Sequence, residues 1–166
     1  MTQNIILTQQ QIQQITKRIA YQIYETFVDE TEIVIAGIAN SGYTFAQKIS
    51  DEVSKISDIK VVLGKVEVNK QNPLQEIKTD LLKADYENKA IVLVDDVMNS
   101  GATLVYGVKY FLEVPLKKFK TAVLIDRSFE VSMQFFKSDK VGTCRFCSKL
   151  IVILSFISDF PIILLN

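Results

Sequence analysis

The stretch Ala90–Val105, AIVLVDDVMNSGATLV, constrains the fold more than any other part of the chain. Five apolar residues, Ala90 to Val94, run into two adjacent acids, Asp95 and Asp96. A turn of small residues follows, Asn99-Ser100-Gly101-Ala102-Thr103, and then a helical pattern begins. A short apolar run bounded by turn signals reads as a buried strand. A buried strand that ends in paired carboxylates and hands over to a phosphate-sized loop at a helix N-terminus points to a nucleotide or sugar-phosphate site.

The neighbouring segments repeat the strand-then-helix pattern. Thr8 is placed to cap a first helix, in which Ile12, Ile15, Ile19, Ile23 and Phe27 recur at steps of three and four through about Val28. Glu32 to Ile38, EIVIAGI, reads as a buried strand that ends in a tight loop, Ala39-Asn40-Ser41-Gly42. A second helix follows with Phe45, Ala46, Ile49 and Val53 facing inward. Ile59 to Val68 is the next expected strand. Asn69 to Thr79 is polar, is broken by Pro73, and reads as a mobile flap or hairpin. Thr103 to Leu112 is expected as a helix, and Lys120 to Asp126 as a further buried strand.

Apolar strands alternating with helices predict one α/β domain across residues 1–166, an open, mainly parallel twisted sheet covered by helices. Right-handed crossovers would bring the loops 38–42 and 95–103 to the carboxyl edge, where such sheets bind ligands.

Composition removes several rival chemistries. The chain has no histidine, so it lacks the commonest general base and metal ligand and any Ser-His triad. Cys144 and Cys147 form a CxxC with no second pair to complete a tetrahedral zinc site. Nineteen basic residues balance nineteen acidic ones, which argues against a wholly electrostatic nucleic-acid binder. Two cysteines and a Gln-rich, amphipathic N-terminus without a signal-peptide pattern fit a reducing cytoplasm, with no membrane partner. A P-loop hydrolase would need a Gly-Lys-Ser/Thr that is not present, and a receiver domain would carry its acid pair after the first strand. A purely structural pair of adjacent carboxylates at a sheet edge is electrostatically unfavourable.

VLVDDVMNSGATL resembles the signature of the type I phosphoribosyltransferases. GIANSG at Gly37 to Gly42 sits where that family keeps its pyrophosphate loop. AVLIDRS at Ala122 to Ser128 is similar to the AVLVDRG stretch of the bifunctional pyrimidine-operon attenuator and uracil phosphoribosyltransferase group. The likeness covers roughly residues 32–128. It implies a Rossmann-like core with a mobile flap, and transfer of a 5-phosphoribosyl group from phosphoribosyl pyrophosphate to a nucleobase, with a pyrimidine such as uracil favoured by AVLIDRS alone. An RNA-binding regulator of pyrimidine genes and a catalytically degenerate nucleotide sensor are the alternatives. A homo-oligomer is expected.

The residues suit the roles that the resemblance implies. Asp95 and Asp96 can accept hydrogen bonds from the ribose 2′- and 3′-hydroxyls. The backbone N–H groups of Asn99, Ser100, Gly101, Ala102 and Thr103 make an anion nest for the 5′-phosphate, to which Ser100 and Thr103 add hydroxyls. Ala39, Asn40, Ser41 and Gly42 offer N–H groups to pyrophosphate. Lys70 in the flap is the candidate to reach it on closure, with Lys78 in reserve and solvation of both lysines as the plain alternative. Magnesium would be held through the substrate near Asp95 and Asp96 and not caged by protein ligands. Asp126 and Arg127 read either as a strand-end ion pair or as the approach to the base pocket. Lys117, Lys118 and Lys120 read as a solvated turn or the edge of an RNA-binding face.

After Ser128 the likeness fades. Phe129 stands where relatives have histidine, and Lys140 stands where an aromatic is expected. Val141 and Gly142 remain as backbone contacts for the base. The tail Leu150 to Asn166, LIVILSFISDFPIILLN, is very apolar but interrupted by Ser155, Ser158, Asp159 and Pro161, which makes it too short and too broken for a membrane span. It reads as a last buried strand, an association patch, or the product of an altered reading frame beyond codon 128.

Overall fold

A computed structural model of the chain describes residues 6–68 and 77–127. Helix α1, Gln9–Thr26, starts where the sequence places it. The Thr8 hydroxyl accepts the Gln11 N–H at 3.2 Å, and the Gln11 side chain accepts the Thr8 N–H at 2.8 Å, so two helix-end donors are satisfied reciprocally. Ile15, Ile19, Ile23 and Phe27 are buried along one stripe, and Val28 just beyond the helix is exposed. Strand β1 is Glu32–Ile38, helix α2 is Ala39–Ile56 and strand β2 is Lys60–Glu67. A two-residue strand β3, Lys78–Thr79, and a single-turn helix α3, Lys83–Tyr86, precede strand β4, Ala90–Met98. Helix α4, Ala102–Phe111, leads to strand β5, Lys118–Asp126.

The five strands form one sheet in the order β3-β2-β1-β4-β5. β1 lies parallel to both β2 and β4, and β4 lies parallel to β5. β3 runs antiparallel to β2, with Val66 opposite Thr79 and Glu67 opposite Lys78. The expected flap therefore returns to the sheet as an edge strand at its far end, while residues 69–76 lie outside the described part. Alternating side chains of β1 feed two cores. Ile33 and Ile35 join α1 and α2 on one face, and Val34, Ala36 and Ile38 join Tyr86 and α4 on the other. Tyr86 stands edge-on to Phe111 with ring centroids 5.1 Å apart, which anchors α3 under α4. Among the described residues no helix is long and apolar enough to cross a membrane.

The amino-terminal edge of the sheet is closed by ion pairs. Glu32, at the head of β1, meets Lys60 at 2.6 Å and Lys89 at 2.5 Å. Buried Glu30 meets Lys117 at 2.8 Å. Hydrogen bonds from Lys60 and Lys89 hold the Glu32 carboxyl down at about 2, against an ordinary value of 4.5. A carboxyl lowered on folding stabilises the protein above its unfolded value, and the stabilisation is lost as pH falls towards the folded one. Glu32→Gln is therefore expected to flatten the decline of thermal stability between about pH 4.5 and 2. Melting curves across that range check this, and an unchanged acid limb would contradict it.

Candidate functional site

Because β1, β2, β4 and β5 are parallel, their carboxyl ends share one edge. Gly37 pairs with Val94, so the end of β1 lies beside the start of the acid pair. The sequence places Asp95 and Asp96 just past the end of a strand, but β4 runs on to Met98. The ladder with β5 passes from Asp95–Val123 to Val97–Ile125 and Met98–Asp126. Backbone pairing is indifferent to side-chain charge, so the strand continues through both acids. Asp95 is 7% exposed and Asp96 is half-buried. The Asp96 N–H donates to Asp95 Oδ1 at 3.0 Å. The first carboxylate thus fixes the backbone that carries the second.

The loop expected at 39–42 is instead the first turn of α2. The chain makes the corner in one residue, with Ala39 at φ 52°, the left-handed region that a non-glycine residue rarely occupies. Such a conformation persists only where its surroundings impose it. Two glycines supply those surroundings. A Cβ on Gly37 would lie 2.4 Å from Tyr43 Cα and 2.7 Å from Tyr43 N. A Cβ on Gly42 would lie 3.1 Å from the Val94 carbonyl oxygen and 3.2 Å from Asp95 Cα. The first turn of α2 therefore rests directly on the end of β1 and on Asp95. The sequence reading assigned Gly42 to the turn and missed this bracing; glycine at a strand end, a mark of close backbone approach, was the available signal. Gly37→Ala is expected to destabilise the fold by about 1–3 kcal/mol through overpacking against backbone. Urea unfolding checks this, and an unaltered midpoint would contradict it.

The N-cap residue's side chain bonds neither the start of α2 nor that of α4, so the first-turn amides are available to an anion, apart from the Ala102 N–H, which donates to Ser100 Oγ. At α4 the turn is made by Gly101 at φ 72°. Asn99 and Ser100 are exposed, and the Ser100 hydroxyl oxygen lies 3.4 Å from the Ala102 N–H as acceptor. Ala102 and Thr103, expected in the loop, are the first two residues of the helix. Asn40 and Ser41 are exposed on the neighbouring turn, and Ala39 is half-buried. Asp126 and Arg127 reach the same edge. Asp126 pairs with Met98, and the Arg127 N–H donates to the Met98 carbonyl at 2.7 Å. Lys78 stands opposite Glu67 in the β2–β3 pair. Lys70 and Val141 lie outside the described residues. Among the described residues no three His, Cys, Asp or Glu side chains gather to hold a metal ion. Two adjacent carboxylates suit a cation that takes most of its oxygens from a bound substrate.

The edge thus offers two uncapped helix starts and an acid pair at adjoining strand ends. The family model for the phosphoribosyl transferase domain matches residues 2–145. This chain belongs to the phosphoribosyl transferase domain family. Its match to that family runs beyond the motifs that carry the likeness, into α1 on one side and past β5 on the other. Bifunctional protein PyrR of Macrococcus caseolyticus is 31% identical over 134 residues, spanning 76% of this chain and 77% of that protein. Bifunctional protein PyrR of Clostridium acetobutylicum is 31% identical over 132 residues, spanning 74% and 73%. Among solved structures, a hypoxanthine-guanine phosphoribosyltransferase from Bacillus anthracis superposes with a TM-score of 0.61 at 22% identity, over 73% of this chain and 70% of that one. Hypoxanthine phosphoribosyltransferase from Trypanosoma cruzi, in complex with the product IMP, gives 0.64 at 17% identity, over 74% and 69%. At these identities the structures establish the type I phosphoribosyltransferase fold. Family membership makes this phosphoribosyltransferase a pentosyltransferase, with phosphoribosyl transfer as its general activity.

Proposed function

We propose that the chain transfers the 5-phosphoribosyl group of phosphoribosyl pyrophosphate to a pyrimidine base such as uracil. The juxtaposition of the Asp95–Asp96 pair with the uncapped turn at Gly101 carries this reading. The likeness to proteins named PyrR and the AVLIDRS stretch favour a pyrimidine. In the reaction the C1–O bond to pyrophosphate breaks as a C1–N bond to the base forms, and the sugar passes through an oxocarbenium-like state. No protein nucleophile is needed, which suits a chain without histidine. Positioning and charge stabilisation do the work.

The amides of Asn99 to Thr103 hold the 5′-phosphate, and those of Ala39 to Gly42 hold the pyrophosphate, with Lys70, outside the described residues, as the candidate cation for it. Asp96 accepts from the ribose hydroxyls while Asp95 shares that task and holds Asp96 in place. Asp126, Arg127 and Val141 approach the base. Asp95 and Asp96 would help to hold a magnesium ion brought in with the substrate, and the ion would offset the charge of the leaving pyrophosphate.

A nucleobase panel scored by pyrophosphate release tests the reading. Release with uracil and not with hypoxanthine or guanine is expected. Release with a purine alone would overturn the pyrimidine assignment, and no release with any base would overturn catalysis. The likeness to bifunctional relatives favours one second reading, a regulator that binds RNA and senses nucleotide in the same pocket. No RNA binding at low salt, with or without UMP, would dismiss it.

A further inference from the structure

The turn assigned to pyrophosphate carries no cation of its own. From Ala39 to Gln47 the chain reads ANSGYTFAQ, without a lysine or an arginine. Asn99 to Thr103 has none either, and β4 contributes two acids beside both turns. Backbone amides offer partial positive charge, whereas a pyrophosphate brings several full negative charges.

Strand β2 supplies a cation on the flank of that turn. Lys65 lies opposite Gly37 in the parallel register, as Leu63 lies opposite Ile35. Leu63 packs on the core under α1 and α2, and alternation along the strand puts Lys65 on the same face. Leu63 also lines a groove with Thr44, Gln47, Lys48, Ser50 and Asp51 of α2. Lys65 is two residues nearer the carboxyl edge, about 7 Å of strand, which corresponds to roughly four or five residues of helix. Helix α2 starts at that edge and runs back over the sheet, so Lys65 flanks its first turns, where the lack of a side chain on Gly37 lets Tyr43 lie against β1.

The side chain is aimed the right way. The Lys65 ammonium donates to Glu67 Oε1 at 2.8 Å, and Glu67 is two residues further towards the carboxyl edge on the same face. The Glu67 side chain is 58% exposed, and an ion pair of this kind is held weakly. A more highly charged anion at the start of α2 would outcompete it. Lys78 stands opposite Glu67, but on β3, one strand further from α2 and β1.

We propose that Lys65 is a pyrophosphate-binding residue, paired with Glu67 in the free protein and drawn to the pyrophosphate group when the substrate binds. The assignment rests on the reading of Ala39 to Gly42 as the pyrophosphate turn, and it adds a full positive charge to that turn.

Titration calorimetry at low salt, with phosphoribosyl pyrophosphate and magnesium and separately with ribose 5-phosphate, tests this. Lys65→Gln is expected to weaken phosphoribosyl pyrophosphate about tenfold or more, the effect of losing one hydrogen bond to a charged group. Ribose 5-phosphate, which lacks the pyrophosphate, should bind the variant as it binds the unsubstituted chain. Lys65→Arg should restore most of the lost affinity. Glu67→Gln should tighten phosphoribosyl pyrophosphate by up to about fivefold, because it frees the ammonium from its exposed partner. Full affinity in Lys65→Gln would overturn the assignment and leave the turn in place. Equal losses for both ligands would overturn it too, since Lys65 would then act through the fold. No binding of phosphoribosyl pyrophosphate by the unsubstituted chain would overturn the reading of the turn and the assignment together. Should Lys65→Gln fail to fold, the side-chain resonances of Lys65 in the intact chain decide: they are expected to shift on saturation with inorganic pyrophosphate and magnesium, and unmoved resonances would overturn the proposal.

Discussion

Asp96→Asn is expected to lower turnover by roughly two to three orders of magnitude, the cost typical of losing one preorganised electrostatic contact to a developing charge. The substitution keeps the shape of the side chain and removes its negative charge. Because Asp96 is half-buried and its backbone is held by Asp95 Oδ1, the fold does not depend on its carboxylate. Thermal stability should therefore stay close to that of the unsubstituted chain. The charge matters because an oxocarbenium-like sugar is cationic, and the proposed reaction places the ribose beside the acid pair of β4. Steady-state rates of pyrophosphate release check the prediction. An unchanged rate would remove Asp96 from the reaction, whatever its position on the edge.

Gly101→Val should weaken binding of phosphoribosyl pyrophosphate by about two orders of magnitude or more while leaving the fold largely intact. Space is not the obstacle, since the nearest atom to a Cβ there is Met98 Sδ at 3.7 Å. The obstacle is the backbone. At φ 72° a β-branched residue is strained by about 1–3 kcal/mol. The turn relieves that strain by rotating its peptide planes, and the N–H groups then no longer converge on one phosphate. Titration calorimetry reads the loss. Retained affinity would mean that the phosphate sits elsewhere. Gly101→Ala, which is strained at the same φ but less than a β-branched residue, should weaken binding less than Gly101→Val.

The parts of the fold legible in the sequence are those in which local pattern and tertiary burial agree. β1 has the expected bounds, Glu32–Ile38, because six consecutive residues are buried on both faces of the sheet and their apolar run is unbroken. α1 was legible through its Thr8 cap and its isoleucine stripe. The disagreements lie where the backbone is held by distant chain. Asp95 and Asp96 look like a strand end, yet β5 supplies pairing partners through Met98. Ala39 to Gly42 look like a loop, since Asn, Ser and Gly are poor helix formers, yet contacts with β1 and β4 hold them as a helical turn. β3 has too few residues for any periodicity, and its pairing with Val66 and Glu67 is visible only in three dimensions. α3 is a single turn kept by the burial of Tyr86.

For the candidate site, the sequence located both turns and the acid pair, because glycine and adjacent acids are conspicuous after apolar runs. It did not reveal that Gly37 and Gly42 brace one turn against the other strand, since that requires knowing that β1 and β4 are neighbours. The side that would face the base was legible only as a resemblance. Arg127 reaches the edge through its bond to Met98, and Val141 lies outside the described residues.

Amide chemical-shift mapping during titration with phosphoribosyl pyrophosphate and magnesium is the most direct test of where this sheet takes its substrate. The largest changes should fall on Ser100, Gly101, Ala102 and Thr103 and on Asn40, Ser41 and Gly42. Changes centred on the opposite edge, around Glu32, Lys60 and Lys89, or no saturable change at all, would contradict the assignment.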